Sequence, residues 1–244
     1  MNTVSERTII DYFPLKLAKG EQFCNRTLEK KTLKRNIELA RHTVLISPRR
    51  YGKSSLVCKV ASECDLPFET IDLFLAHDDK TAIKRMLYGI SNIVSQIVPI
   101  SHKTISAVQK YFSKFKITLN ATNFAIEMSH ATNSNDPVDQ IYDALTALAQ
   151  LAEVSEKKAV LFIDEFQDIT HIQSAKAIQG AIRHVAQDTA WITFIFSGSS
   201  RHLLLDLFDD NNKPLYMLCD KILLNRISSI DYHPHIQKAF KRFC

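Results

Sequence analysis

Glycine is scarce in this sequence. The 244 residues include five glycines, whereas about 7% of an average globular chain is glycine. Glycine is the residue that most readily takes positive φ angles and permits close backbone approach. We therefore expect the glycines in loops to have specific tasks, and Gly52 and Gly198, which follow two apolar runs, are the candidates.

Paired cysteines and long apolar runs are also lacking. The five cysteines are scattered and form no C-x-x-C pair, which argues against a disulfide framework or a zinc knuckle. The longest apolar runs, at 160–163 and 191–196, are far shorter than the roughly 20 residues that cross a bilayer. The N-terminus lacks the apolar stretch of a signal peptide. We expect a soluble cytoplasmic protein with reduced thiols and no membrane contact.

Neither sign of charge dominates the chain. Lys and Arg number 31 against 26 Asp and Glu, a formal net charge of +5, and no basic tail is present. This charge allows a weak attraction to nucleic acid without implying one. Hydrophobic residues make up 45% of the sequence, which is too many for a disordered chain, and the length fits one large domain or two small ones.

Short β-rich runs alternate with helical patterns, which is typical of a parallel sheet covered by helices on both faces. We predict strands at 43–47, 68–75, 159–164, 191–196 and 221–224, and helices at 28–41, 53–63, 83–97, 137–152, 172–185 and 201–208. Two alternating stretches predict a β-hairpin inserted at about 116–129. The expected organisation is an N-terminal extension (1–22), a core (23–230) and the start of a truncated C-terminal helical region (231–244).

A candidate phosphate-binding loop lies between the first predicted strand and the next helix, which is the context that such a loop needs. Its residues are Ser47, Pro48, Arg49, Arg50, Tyr51, Gly52, Lys53, Ser54 and Ser55. A tight turn and a helix N-terminus aim several backbone N–H groups at one anion. We expect Gly52 to permit close approach of the phosphates, Lys53 to reach the β- and γ-phosphates, and the Ser54 hydroxyl to hold Mg²⁺.

Two features of this loop leave alternatives open. The common pattern has glycine six residues before the lysine, and Ser47 occupies that position here. The side chains of Arg49 and Arg50 contact the nucleotide or a partner, or else face solvent, because such a loop works through its backbone.

Two adjacent carboxylates end the apolar run at 160–163. In nucleotide hydrolases, an acid in the position of Asp164 binds the Mg²⁺ shell, and one in the position of Glu165 polarises the attacking water. The alternative is an exposed strand end with surface acids. Because the phosphate loop and the acidic pair occur together and in this order, we favour the catalytic interpretation.

A polar segment, 197–200, follows the apolar run at 191–196. Nucleotide hydrolases with an added strand between the phosphate-loop strand and the acidic strand place a polar sensor there, near the γ-phosphate. We assign that role to Ser199, with Ser197 as the second candidate. The alternative is a helix cap before 201–208.

The sequence resembles the archaeal-type ATPases, a prokaryotic P-loop group allied to the STAND NTPases and to AAA+ proteins. The strings that carry the resemblance are Phe23-Cys-Asn25-Arg26, Ser47-Pro-Arg-Arg-Tyr-Gly-Lys-Ser-Ser-Leu56, Ile163-Asp-Glu-Phe-Gln167, Phe196-Ser-Gly-Ser-Ser-Arg-His202 and Pro214-Leu-Tyr216. The resemblance implies a three-layer P-loop NTPase fold with strand order 5-1-4-3-2, ATP as ligand, and Asn25 and Arg26 near the adenine. It also implies that Ser47 is an accepted replacement. Independently, no N-K-x-D guanine-reading motif follows the acidic pair, which favours ATP over GTP.

The chain departs from these relatives in two places. They often carry an arginine soon after the P-x-Y segment, for which only Lys221 or Arg226 could substitute here. They also continue into a C-terminal helical or winged-helix domain.

The resulting hypothesis is Mg²⁺-dependent ATP binding and slow ATP hydrolysis in a nucleotide-controlled switch, with Lys53, Glu165 and Ser199 as catalytic residues and Ser54 and Asp164 as metal ligands. Expected partners are a protein bound through the 116–129 hairpin or the C-terminal region, or further copies in a nucleotide-dependent oligomer. Two alternatives remain: a nucleotide-dependent binding module without significant turnover, and a DNA-linked ATPase. A small-molecule kinase fits less well, because no lid with an acceptor base is evident.

Overall fold

The computed structural model describes residues 12–14, 16–74, 76–120, 123–128 and 136–243. The strands in these ranges are β1 (Thr43–Ile46), β2 (Phe68–Asp72), β3 (Phe115–Leu119), β4 (Phe124–Met128), β5 (Ala159–Asp164), β6 (Ile192–Gly198) and β7 (Asp220–Leu223). The helices are α1 (Thr27–Glu38), α2 (Lys53–Cys64), α3 (Asp79–Ile97), α4 (His102–Tyr111), α5 (Pro137–Val154), α6 (Ala175–Asp188), α7 (Arg201–Asp209) and α8 (Ser229–Phe243). Two short 3₁₀ helices cover Gly20–Gln22 and Phe166–His171.

Five strands form a parallel sheet in the order β2-β5-β6-β1-β7. If these five strands alone are numbered along the chain, the order read from the β7 edge is 5-1-4-3-2. The labels differ from the predicted order because the hairpin strands β3 and β4 also take numbers. All strands of the sheet point the same way, so the loops after β1, β2, β5 and β6 meet at one edge, where ligands of open α/β sheets bind.

The sheet is buried on both faces, which explains the uninterrupted apolar runs of its strands. On one face, Val44, Ile163 and Phe196 pack in a large cluster with residues of α3, α5, α6 and α7. On the other face, Leu45 and Phe162 pack in a smaller cluster with residues of α1 and α2. The predicted three-layer α/β architecture is thus confirmed.

The predicted hairpin is also present, as a separate antiparallel pair in which Ile117 lies opposite Ile126. Strand β4 is attached to α3 by two serine hydroxyls. Ser95 accepts a hydrogen bond from the backbone N–H of Phe124 at 2.8 Å, and Ser91 accepts one from Ile126 at 3.1 Å. A two-stranded hairpin alone is marginally stable, so these bonds fix it to the core. Residues 121, 122 and 129 lie outside the described residues.

Several element bounds differ from the sequence prediction: α1 ends at Glu38 rather than 41, β2 ends at Asp72 rather than 75, and α3 begins at Asp79 rather than 83. Helix α6 begins at Ala175 rather than near 172, because Phe166–His171 forms a 3₁₀ helix and Asp79 accepts hydrogen bonds from the backbone N–H and the hydroxyl of Ser174. Helix α8 begins at Ser229, two residues before the expected C-terminal region. The domain bounds at 22 and 230 stay predictions, and residues 1–11 and 15 are outside the described part.

None of the described helices is long and apolar enough to cross a membrane. The cysteines within the described ranges, Cys24, Cys58, Cys64 and Cys219, are free thiols.

Candidate functional site

The loop from β1 to α2 forms a turn that ends at the N-terminus of a helix. Gly52 is the N-cap residue of α2, with φ 84° and ψ 24°, and no side chain caps the helix. The first backbone N–H groups of α2 are therefore available to an anion. No atom lies within 4 Å of the position that a Gly52 Cβ would take, so the positive φ, rather than crowding by the protein, accounts for glycine here.

The Lys53 side chain folds back into this loop and is only 6% exposed. Its Nζ donates long hydrogen bonds to the carbonyl oxygens of Ser47, at 3.4 Å, and Pro48, at 3.5 Å. Burial lowers the pKa of Lys53, and the charges of Glu165 and Asp164 oppose this shift. The ammonium group thus lies on the inner side of the loop, facing the acidic pair.

Asp164, at the end of β5, joins the loop to the neighbouring strand. The Ser54 hydroxyl donates a 2.7 Å hydrogen bond to Asp164 Oδ2 across 110 residues of sequence, and the Ser197 hydroxyl donates to Asp164 Oδ1. A hydroxyl and a carboxylate are the hard oxygen ligands that Mg²⁺ prefers. The described residues contain no cluster of three or more acidic, His or Cys side chains suited to a metal, but Mg²⁺ bound to nucleotide phosphates needs only one or two protein carboxylates. The donor set therefore fits Mg²⁺.

Glu165 has a left-handed backbone conformation, with φ 50°. One oxygen of its carboxylate accepts three hydrogen bonds. Its Oε2 accepts hydrogen bonds from Ser199 Oγ at 2.8 Å, Ser199 N at 3.2 Å and Gln167 Nε2 at 2.8 Å. Burial acts to raise the pKa of Glu165, but these hydrogen bonds and the charge of Lys53 outweigh it, and the pKa lies below its ordinary value. The carboxylate is thus ionised and held in one orientation at neutral pH.

Both serines proposed at the end of β6 contact the acidic pair, but each contacts a different acid. Ser197 is fully buried and bonds Asp164, whereas Ser199 is half-buried and bonds Glu165. The N-cap residue of α7 is Ser200, so the Ser199 hydroxyl does not serve as the helix cap.

The segment before α1 is tied to the phosphate loop. Arg26 is buried; its Nη2 donates to the Tyr51 carbonyl oxygen at 3.0 Å, and its Nη1 pairs with Glu29 at 3.0 Å. Asn25 and Arg26 both have positive φ, 51° and 67°. Ser55 faces away from the turn, since its Oγ accepts a hydrogen bond from Ala18 N at 3.1 Å.

The two cations considered as substitutes for a downstream arginine lie in different places. Lys221 pairs with Asp209. It lies on the outermost strand β7 beside Val44 of β1, two residues before the end of β1 where the loop begins. Arg226 follows β7 at that edge, just after Leu224, whose N–H donates to the Ile46 carbonyl oxygen at 3.0 Å.

Comparison with solved structures gives the same architecture. The Walker-type ATPase Paby2304 of Pyrococcus abyssi matches 95% of this chain with a TM-score of 0.65 and 22% identity. The chain has an α/β P-loop NTPase-like fold. Aeropyrum pernix ORC2, solved in ADPNP–ADP complexes, matches 97% of the chain (TM-score 0.58, 13% identity), and Aeropyrum pernix ORC1, solved with DNA, also matches 97% (TM-score 0.56, 10% identity).

The match covers only part of each of these proteins. The chain spans 62% of the Paby2304 chain, 56% of ORC2 and 54% of ORC1. No protein-family model matches the sequence, and no curated protein matches it significantly.

Two residues of the site were not predicted to act in it. Gln167 is 4% exposed, and its Nε2 donates to both Glu165 and Asp168, each at 2.8 Å. Phe74, after β2, lies under the guanidinium of Arg49 at 5.5 Å. The available signal for Gln167 was its place at the end of the Ile163–Gln167 string that carries the resemblance. No sequence pattern indicates Phe74.

Proposed function

We propose that this protein binds Mg·ATP and hydrolyses it slowly. The observation that carries the proposal is the 2.7 Å hydrogen bond between Ser54 Oγ and Asp164 Oδ2. It joins the phosphate loop to the acidic strand, as one metal held by both residues and by nucleotide phosphates would require. The buried ammonium of Lys53 and the uncapped N-terminus of α2 add the positive charge that a polyphosphate needs.

Each residue has a role that its contacts support. Lys53 and the loop N–H groups bind the phosphate oxygens, and Ser54 and Asp164 hold Mg²⁺, which neutralises phosphate charge when bound. Glu165, ionised and fixed by Ser199, orients a water molecule for in-line attack on the γ-phosphorus and accepts its proton. The bond from the γ-phosphorus to the β–γ bridging oxygen breaks, and the products are ADP and phosphate.

Of the remaining loop residues, Arg50 and Tyr51 contribute backbone N–H groups to phosphate binding. Pro48 has no N–H and shapes the loop, and its carbonyl oxygen accepts a hydrogen bond from Lys53 Nζ. We also propose that Asn25 and Arg26 lie near the adenine. The hydrogen bond from Arg26 to the Tyr51 carbonyl oxygen supports this, because it holds their segment beside the nucleotide-binding loop. The proposed output is a conformational switch in the cytoplasm that reports the nucleotide state through the hairpin, which borders a cavity of about 850 Å³ against α3, or through α8.

Phosphate release by the wild type, Glu165→Gln and Glu153→Gln tests the catalytic assignment. Glu153 is an exposed acid near the end of α5, so Glu153→Gln removes one carboxylate outside the site. We expect Glu165→Gln to slow release by about 10²–10⁴-fold, the usual contribution of a general base, and Glu153→Gln to match the wild type. Equal rates for Glu165→Gln and the wild type would refute the role of Glu165.

A binding module without turnover is the first alternative, and the engagement of Lys221 by Asp209 favours it. Without an arginine that reaches the nucleotide, hydrolysis loses a group worth about 10³–10⁵ in rate in other NTPases. This alternative predicts that Mg·ATP raises the melting temperature, that Lys53→Ala abolishes the shift, and that no phosphate is released over hours.

A DNA-linked ATPase is the second alternative. The net charge of +5 and the fold shared with ORC1, which was solved with DNA, favour it. However, Lys114, which follows α4, pairs with Asp143 at 2.8 Å. This ion pair leaves one cation fewer to contact DNA phosphates. DNA binding at about 50 mM salt that weakens steeply as salt increases would support this alternative; undetectable binding at 50 mM salt would refute it.

A further inference from the structure

The side chain of Arg49 extends across the carboxyl ends of the strands that carry the site. Arg49 follows β1, yet its guanidinium lies 5.5 Å from the ring centre of Phe74, which follows β2, and its Nε lies 3.3 Å from Ser199 Oγ, which follows β6. In the sheet, β5 and β6 lie between β2 and β1. The guanidinium therefore extends across the ends of both intervening strands, including the strand that carries the acidic pair.

A chain of hydrogen bonds connects Arg49 to the proposed general base. Arg49 Nε donates to Ser199 Oγ at 3.3 Å, and the same hydroxyl donates to Glu165 Oε2 at 2.8 Å. A hydroxyl can donate one hydrogen bond and accept another, so both contacts are made together. The charge of Arg49 also contributes to the lowered pKa of Lys53, so the two cations lie within electrostatic range of each other.

The ends of the guanidinium are free to bind a ligand. Nε bonds Ser199, and the guanidinium lies over the Phe74 ring. Within the described residues, neither terminal NH₂ group has a hydrogen-bond or ion-pair partner. These contacts hold the plane of the group and leave its two outer nitrogens in the fork geometry that matches two phosphate oxygens. A lysine could supply the charge here but not this fork.

We propose that Arg49 binds the terminal phosphate of the nucleoside triphosphate within the same chain, and that it supplies a cation at this phosphate. This proposal rests on the proposed function. It extends that function, because it gives the side chain of a loop residue, and not only the loop backbone, a role in phosphate binding. A diphosphate ends one phosphate short of this position, so Arg49 distinguishes ATP from ADP.

Binding of two nucleotides tests this proposal without requiring turnover. The probes are the non-hydrolysable β,γ-imido analogue of ATP and ADP, each with Mg²⁺, titrated calorimetrically into the wild type, Arg49→Ala, Arg49→Lys and Arg35→Ala. Arg35 is an exposed arginine of α1, so Arg35→Ala makes the same change of charge outside the site. We expect Arg49→Ala to weaken analogue binding about 10–100-fold, the range for hydrogen bonds to charged groups, and to leave ADP binding within twofold.

The two substitutions of Arg49 separate charge from geometry. Arg49→Lys should recover only part of the lost analogue affinity, whereas Arg35→Ala should match the wild type with both nucleotides. Equal losses for the analogue and ADP in Arg49→Ala, or no loss for either, would refute the role of Arg49 while the proposed function stands. If the wild type binds neither nucleotide, both proposals are wrong. Where the wild type releases phosphate, Arg49→Ala should lower kcat more than it raises KM.

Discussion

Gly198 packs directly against the side-chain amide of Gln167. A Cβ atom on Gly198 would lie 1.9 Å from Gln167 Oε1 and 3.1 Å from Leu204 Cδ1. The Gln167 oxygen is buried without a hydrogen-bond partner in the described structure, while its nitrogen donates to Glu165. Because Gly198 has no side chain, the Gln167 amide can pack against the backbone of β6 and donate to Glu165, the proposed general base.

Substitution of Gly198 by alanine should destabilise the fold and displace Gln167. We expect Gly198→Ala to lower the free energy of unfolding by about 1–3 kcal/mol, the usual cost of an overpacked interior, as measured by urea denaturation. Gly180→Ala is the matched control, because no atom lies within 4 Å of its added Cβ. In helix α6 that substitution should be neutral or stabilising by up to about 1 kcal/mol. Equal stability of Gly198→Ala and Gly180→Ala would contradict the close contact.

The sequence predicted the location of the site better than its internal contacts. Lys53, Ser54 and Asp164 could be found because each stands at the end of an apolar strand or at the start of the helix after it, and parallel strands bring those ends to one edge. The partners of Ser197 and Ser199 could not be predicted, because the acid that each serine reaches depends on the register of β6 against β5, which the sequence does not show. The position of Arg49 depends on Phe74, which follows another strand and belongs to no motif.

Removal of the Ser199 hydroxyl should change the pH dependence of phosphate release. Hydrogen bonds from Gln167 and Ser199 hold the pKa of Glu165 below its ordinary value, and a base is active only above its pKa. Ser199→Ala should therefore raise that pKa and move the acid limb of the kcat profile to higher pH. The measurement is kcat from about pH 4 to 8 for the wild type and the variant. An unchanged acid limb would show that the Ser199 hydroxyl does not stabilise the Glu165 carboxylate.

Replacement of Lys53 by methionine should stabilise the protein without nucleotide. The ammonium is buried, and desolvation lowers its pKa despite the two nearby carboxylates, so the folded state disfavours the charge. Its recorded hydrogen bonds in the described structure are two long ones to carbonyl oxygens. We expect Lys53→Met to raise the free energy of unfolding by about 1 kcal/mol, a common gain when a strained functional group is removed, and to abolish stabilisation by Mg·ATP. A lower melting temperature than that of the wild type in the absence of ATP would contradict this.

His42 should make the fold less stable in mild acid. Its Nδ1 accepts a hydrogen bond from Phe194 N at 3.1 Å, and its Nε2 lies 2.8 Å from the Ala186 carbonyl oxygen. Burial lowers the pKa of His42, and the bond to Ala186 opposes this only in part. A protonated ring would lose the acceptor for Phe194, so the folded state keeps His42 neutral at pH values where the unfolded chain binds a proton.

The sign of the pH effect follows from that difference. Above the ordinary histidine pKa of about 6.5, both states are neutral and the contribution of His42 is complete. As the pH falls from about 6.5 towards the lower folded pKa, the unfolded state takes up the proton and stability decreases, by at most about 1.4 kcal/mol per pH unit. Urea denaturation between pH 7.5 and 5 should show a flatter pH dependence for His42→Gln than for the wild type. His77→Gln, which removes an exposed histidine outside the contacts of His42, should keep the wild-type dependence. An unchanged slope in His42→Gln would place the acid sensitivity elsewhere.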